Sequence, residues 1–293
     1  MDMKKVINLW NKFWFEEQDA YPIAAFRIVF GIYLLIFFLK FLPFVESMFS
    51  NQGVYSPFWI PDIAPEPIFS WLIYSLTLVL IILFILGVKT IFVTPLLLFN
   101  FLYYFFLNFA VKNSSYDRLI IIFLIILCFA SINNVWSIKS PKEKIRKTSV
   151  FATRLLCLQI SIFYFGAGLY KAFQPSWSNG EILEMTMASN WGTPLAFWLL
   201  RLDLPSVFYD LLTIGTIIFE ILFGFLLWIR PLQKYVFTLG ILFHLSIWLL
   251  LSIPEFMICA TTYVLFMNPK DLENIGSSLY SRINPKRLNV GDK

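Results

Sequence analysis

Apolar runs about as long as a bilayer is thick recur along almost the whole of this 293-residue chain. A helix needs about 20 predominantly apolar residues to cross a hydrocarbon core, because each residue advances it by about 1.5 Å. By that ruler there are about eight candidate spans, at residues 22–42, 68–88, 91–110, 118–134, 151–172, 207–229, 235–251 and 256–267. The last is short enough to be re-entrant or partly spanning. Composition agrees: 59% of residues are hydrophobic, only 14% are charged and mean hydropathy is +0.73, too little polar surface to coat a water-soluble globule. The 33 phenylalanines and 10 tryptophans suit lipid contact, helix packing and interfacial belts. The expected fold class is therefore an all-α integral membrane protein, a bundle of about eight transmembrane helices.

Orientation follows from where Lys and Arg collect, since cytoplasmic loops are enriched in them. With both termini cytoplasmic, the inner segments hold Lys4, Lys5, Lys12 and Lys89, then Lys139, Lys142, Lys144, Arg146, Lys147 and Arg154, then Arg230 and Lys234, and finally Lys270, Arg282, Lys286, Arg287 and Lys293. The outer segments hold only Lys112, Arg118, Lys171 and Arg201. The outer loop 43–67 carries Glu46, Asp62 and Glu66, and its prolines forbid a continuous helix. A second outer loop, 173–206, carries Trp177, Trp191 and Trp198 and is expected to fold back along the membrane surface. Residues 1–21 read as an amphipathic cytoplasmic segment without a removable signal, 22–268 as the transmembrane domain, and 269–293 as a basic cytoplasmic tail. The basic inner loop can touch anionic lipid, so the bilayer is the expected partner. The +5 charge forms no single basic face, so no nucleic acid is expected. Cys128, Cys157 and Cys259 lie in apolar runs without CxxC spacing and read as small buried hydrophobes.

Ionisable groups inside spans are costly unless they find a partner, water or a use. Arg27 lies near enough to the inner end of its span to snorkel, or it could pair with Glu220. Glu220 is mid-span, where it must be protonated, paired or facing a cavity. His244, the single histidine, is either a hydrogen-bonded core residue or, at similar depth on the next span, a candidate partner for Glu220. One histidine without a cysteine cluster makes a zinc site unexpected. Lys171 ends the fifth span on the outer side, where Gly166, Ala167 and Gly168 permit close helix approach. It is either an interfacial anchor or a buried amine available as a base.

Several segments resemble one family. Phe26-Arg27-Ile28-Val29-Phe30-Gly31, followed by Asn51-Gln52-Gly53-Val54, resembles the start of the horizontally transferred transmembrane (HTTM) domain, the membrane part of vitamin K-dependent gamma-glutamyl carboxylases. The strongest likeness runs from Leu158-Gln159 through Tyr164-Phe165-Gly166-Ala167-Gly168-Leu169-Tyr170-Lys171 to Trp177 and Gly180. Phe219-Glu220 and Phe243-His244 follow in the family's order, so the likeness covers about residues 20–268.

The resemblance implies a quinol-linked membrane enzyme in which Lys171 is the base that deprotonates a reduced, vitamin K-like quinone. It implies Glu220 and His244 as the other catalytic residues, and Tyr164, Tyr170, Trp177 and Asn134 as substrate-binding. Asn134 stands where the carboxylase has a catalytic histidine, and Tyr170 where the animal enzyme has a second lysine. The large extramembrane domain that grips the carboxylase substrate has no counterpart expected within this sequence. The alternative expectation is therefore a non-enzymatic maturation or auxiliary factor for an exported peptide, working with a separate extracytoplasmic subunit. A bacterial cytoplasmic membrane is the implied location.

Overall fold

The computed structural model describes residues 3–54, 63–109, 114–138 and 147–283, with side chains to residue 278. Lys112, Asp62, the basic loop residues 139–146 and the tail beyond 283 lie outside the described residues. The chain divides into two compact units, Met1–Arg154 with Val264–Lys293, and Leu155–Tyr263.

The first unit opens with helix α1 (Met3–Phe15), whose apolar and basic residues segregate to opposite faces and which buries no residue. Strand β1 (Glu17–Asp19) pairs antiparallel with β2 (Lys147–Ser149), Glu17 opposite Ser149 and Asp19 opposite Lys147. Three helices long and apolar enough to cross a membrane follow: α2 (Tyr21–Leu39), α4 (Pro67–Ile85) and α5 (Thr90–Leu107). Pro22 and Pro67 lie in the first turns of α2 and α4, where a missing N–H removes no helical bond. Between α2 and α4 the proline-bearing loop holds a short helix α3 (Val45–Phe49). Helix α2 packs on α4, α4 on α5, and α5 on α6 (Ser115–Cys128). Rings from Phe26, Phe30, Phe84 and Phe123 meet edge to face at the centre.

The fourth expected span, 118–134, is corrected. Helix α6 stops at Cys128, and residues 129–138 turn without regular structure. The physical reason is Arg27. Its fully buried guanidinium donates to the Ile132 carbonyl at 2.5 Å and to the Trp136 carbonyl. Backbone acceptors that a continuing helix would consume internally are turned towards this donor instead. Arg27 therefore neither snorkels nor pairs with Glu220, the two expectations for it.

The second unit contains most of α7 (Phe151–Phe173), then α8 (Glu181–Ala188), α9 (Pro194–Leu200), α10 (Ser206–Leu226) and α11 (Gln233–Leu251). Helices α7, α10 and α11 are long and apolar enough to cross a membrane. The loop 173–206 is thus two short helices; Thr193 caps α9, its hydroxyl accepting from the Ala196 N–H. They gather around Met187, Ala196 and Tyr209, and the Thr193 N–H donates to the Leu250 carbonyl. The eighth expected span is a broken segment: a 3-10 turn at Pro254–Met257, a short helix α12 (Ile258–Thr261), and a second 3-10 turn at Thr262–Phe266. Pro254, lacking a backbone donor, stands at its start. In the first unit again, α13 (Pro269–Ile283) packs on α2, where the Tyr21 hydroxyl donates to Glu273 at 2.9 Å.

Candidate functional site

Residues four and three apart share a helix face, so Tyr164, Gly168 and Lys171 form one stripe on α7. That stripe lies against α10. A side chain at Gly168 would meet the Ile221 backbone nitrogen at 2.8 Å, and one at Gly224 would meet the Ser161 carbonyl oxygen at 2.6 Å. Two glycines, one on each helix, therefore let the backbones approach. Gly166 plays no such part, since among the described residues nothing lies within 4 Å of a side chain added there. Ser161 seals the same contact by donating to the Gly224 carbonyl at 2.9 Å.

This approach brings Lys171 to Glu220. Nζ lies 2.5 Å from Oε2, with the two side chains 19% and 10% exposed. The same amine sits 5.1 Å from the centre of the half-buried Trp177 ring, a cation–π distance. The 3-10 turn Pro175–Trp177, two residues after α7 ends, folds the indole back over the lysine.

His244 is not the partner of Glu220, as depth alone had suggested. Its Nε2 lies 2.5 Å from the Tyr164 hydroxyl, which in turn lies 2.9 Å from the Tyr263 hydroxyl. All three side chains are buried, and Cys259 is buried beside them. Aromatic rings wall this cluster: Phe219 stacks on Phe243 at 4.1 Å, and Phe223 lies 4.7 Å from Tyr164. Glu220 prefers Lys171 because helix rotation, which depth does not encode, turns its carboxylate to α7.

Of the other expected site residues, Tyr170 is 65% exposed on the far side of α7 from this stripe. Asn134 belongs to the first unit, where its amide donates to the Lys147 carbonyl at 3.2 Å. Tyr263 escaped the sequence reading: a tyrosine in a short apolar segment gives no pattern that marks it. Among the described residues no group of three His, Cys, Asp or Glu side chains could hold a metal ion.

The model of the HTTM domain matches residues 15–270. The chain belongs to the HTTM-domain family. No curated protein and no solved structure matches it. The HTTM match takes in both units and every site residue named above, and with the apolar helices it makes the chain an integral, multi-pass membrane protein.

A reduced quinone would need an aromatic surface and polar groups placed for its ring oxygens. This HTTM chain offers the Trp177 face, the Lys171 amine, and a buried His244 Nδ1 that no described protein group reaches. The residues present fit such a group.

Proposed function

We propose that this HTTM-domain protein is a quinol-linked enzyme of a bacterial cytoplasmic membrane, crossing eight times with both termini inside, in which Lys171 is the base. The observation that carries the reading is the placement of Lys171, a lysine largely withdrawn from water and held between a carboxylate and an indole face. Glu220 lies close enough to take the proton that the amine holds. With that proton on Oε2, both groups are neutral and Nζ presents a lone pair, the form a general base requires. Trp177 orients the amine and limits water around it. When bound, a reduced quinone would supply an acidic ring hydroxyl and reducing equivalents.

The test is mass spectrometry of the detergent-extracted protein. A quinone is expected to copurify with the wild type and to fall several-fold in Trp177→Ala; a wild type carrying none, under conditions that preserve bound lipid, removes this reading. Lys171→Ala is expected to abolish the host phenotype.

One observation favours a second reading. The same ion pair ties α7 to α10, which needs no chemistry. In that case the protein is an auxiliary maturation factor for an exported peptide, with an extracytoplasmic subunit supplied separately. A Lys171→Met/Glu220→Leu double variant that folds and keeps the phenotype would decide for it.

A further inference from the structure

The hydrogen-bond chain Tyr263–Tyr164–His244 contains few protons, and counting them assigns each one. A neutral imidazole carries one N–H, and each tyrosine hydroxyl can donate once. Tyr164 touches both neighbours, His244 Nε2 at 2.5 Å and the Tyr263 hydroxyl at 2.9 Å, but it can give its single proton to only one. If it gives to Tyr263, the ring must donate from Nε2. The Tyr263 proton and the bare Nδ1 are then both left without described partners. If it gives to Nε2 instead, Tyr263 donates to Tyr164, and only the Nδ1–H is left over. The Cys259 thiol also lies against the Tyr164 hydroxyl, but sulfur is a weak acceptor, so the array in which the imidazole nitrogen takes the Tyr164 proton prevails.

We infer that Tyr164 fixes His244 as the Nδ1–H tautomer, so that Nδ1–H is a buried hydrogen-bond donor for an oxygen acceptor on a bound small molecule. Tyr164 is then a positioning residue that does not itself touch the ligand. His244 contributes a donor of fixed direction and no basic nitrogen, because its lone pair is occupied by Tyr164. Of the imidazole and the amine, the base is accordingly Lys171, and the two groups divide the work: the amine removes a proton and the imidazole holds an oxygen. The ligand half of this inference rests on the reading of the site as one for an aromatic diol. The tautomer half does not.

His244 is the only histidine in the chain, so protein labelled with ¹⁵N-histidine gives one pair of ring nitrogens. The expected spectrum of the wild type in detergent micelles has a one-bond N–H splitting at Nδ1 and none at Nε2. Tyr164→Phe loses this single-tautomer pattern. Tyr263→Phe keeps it, because the imidazole nitrogen remains a stronger acceptor for the Tyr164 hydroxyl than the Cys259 sulfur, and that difference separates positioning from a general loosening of the fold. Saturating menadiol, added without oxygen, is expected to shift the Nδ1 resonance and leave Nε2 in place. A proton on Nε2, a doubly protonated ring, or a Nδ1 resonance that menadiol does not move overturns the inference. If menadiol moves Nδ1 while Lys171→Ala leaves the host phenotype intact, the base assignment fails and this inference stands.

Discussion

Held 2.5 Å apart, with side chains 19% and 10% exposed, Lys171 and Glu220 are more costly to separate than to delete together. Glu220→Ala leaves an amine without its counter-charge and is expected to destabilise the protein by about 3 kcal/mol, whereas Lys171→Met/Glu220→Leu costs clearly less. Thermal unfolding of the two variants in one detergent checks the order. The glycines beside them separate in the same assay. Gly168→Ala drives a methyl group against the Ile221 backbone and is expected to cost about 1–3 kcal/mol, while Gly166→Ala meets open space and stays within about 0.5 kcal/mol. Lys171, Glu220 and His244 were legible in the sequence because each interrupts an apolar run. Their partners were not. Hydropathy gives a residue its depth, but partner choice depends on helix rotation, and Gly168 and Gly224 set that rotation through contacts distant in sequence.

Helix ends follow the same division between what is local and what is not. The starts of α2 and α4 are written in Pro22 and Pro67, and that of α6 in a capping box formed by Ser114 and Asp117. The end of α6 is not, for Phe129 and Ala130 continue the apolar run past Cys128. The stop comes from Arg27, about a hundred residues away, which claims the carbonyls of Ile132 and Trp136. Trp136 adopts a left-handed backbone there, φ 51°, which an unsupported chain would leave. Arg27→Lys keeps the charge but cannot reach two carbonyls with a planar fork. Its expected outcome is faster hydrogen exchange across 129–138, with exchange in α2 itself nearly unchanged.

For the molecule as a whole, the proposed orientation puts both ends in the cytoplasm. A fluorescent protein fused after residue 293 is then expected to glow, and alkaline phosphatase fused there to be inactive; the reverse pattern inverts the orientation. The short strand pair adds something hydropathy cannot. Asp19 and Lys147 are paired partners, so the chain between them has returned to the side it left, and a path that returns has passed through the bilayer an even number of times. Ile138, bonded to the Leu86 carbonyl, obeys the same parity. On the proposed path α2, α4, α5 and α6 all cross, although the 14 residues of α6 reach only about 21 Å against a core of about 30 Å. The bilayer must thin at that place, or neighbouring protein must cover the difference. Tyr21 and Glu273 share a side in turn, and the intervening long helices together with α6 make an odd number. On the proposed eight-crossing path, the broken segment Pro254–Phe266 is the one that makes the count even.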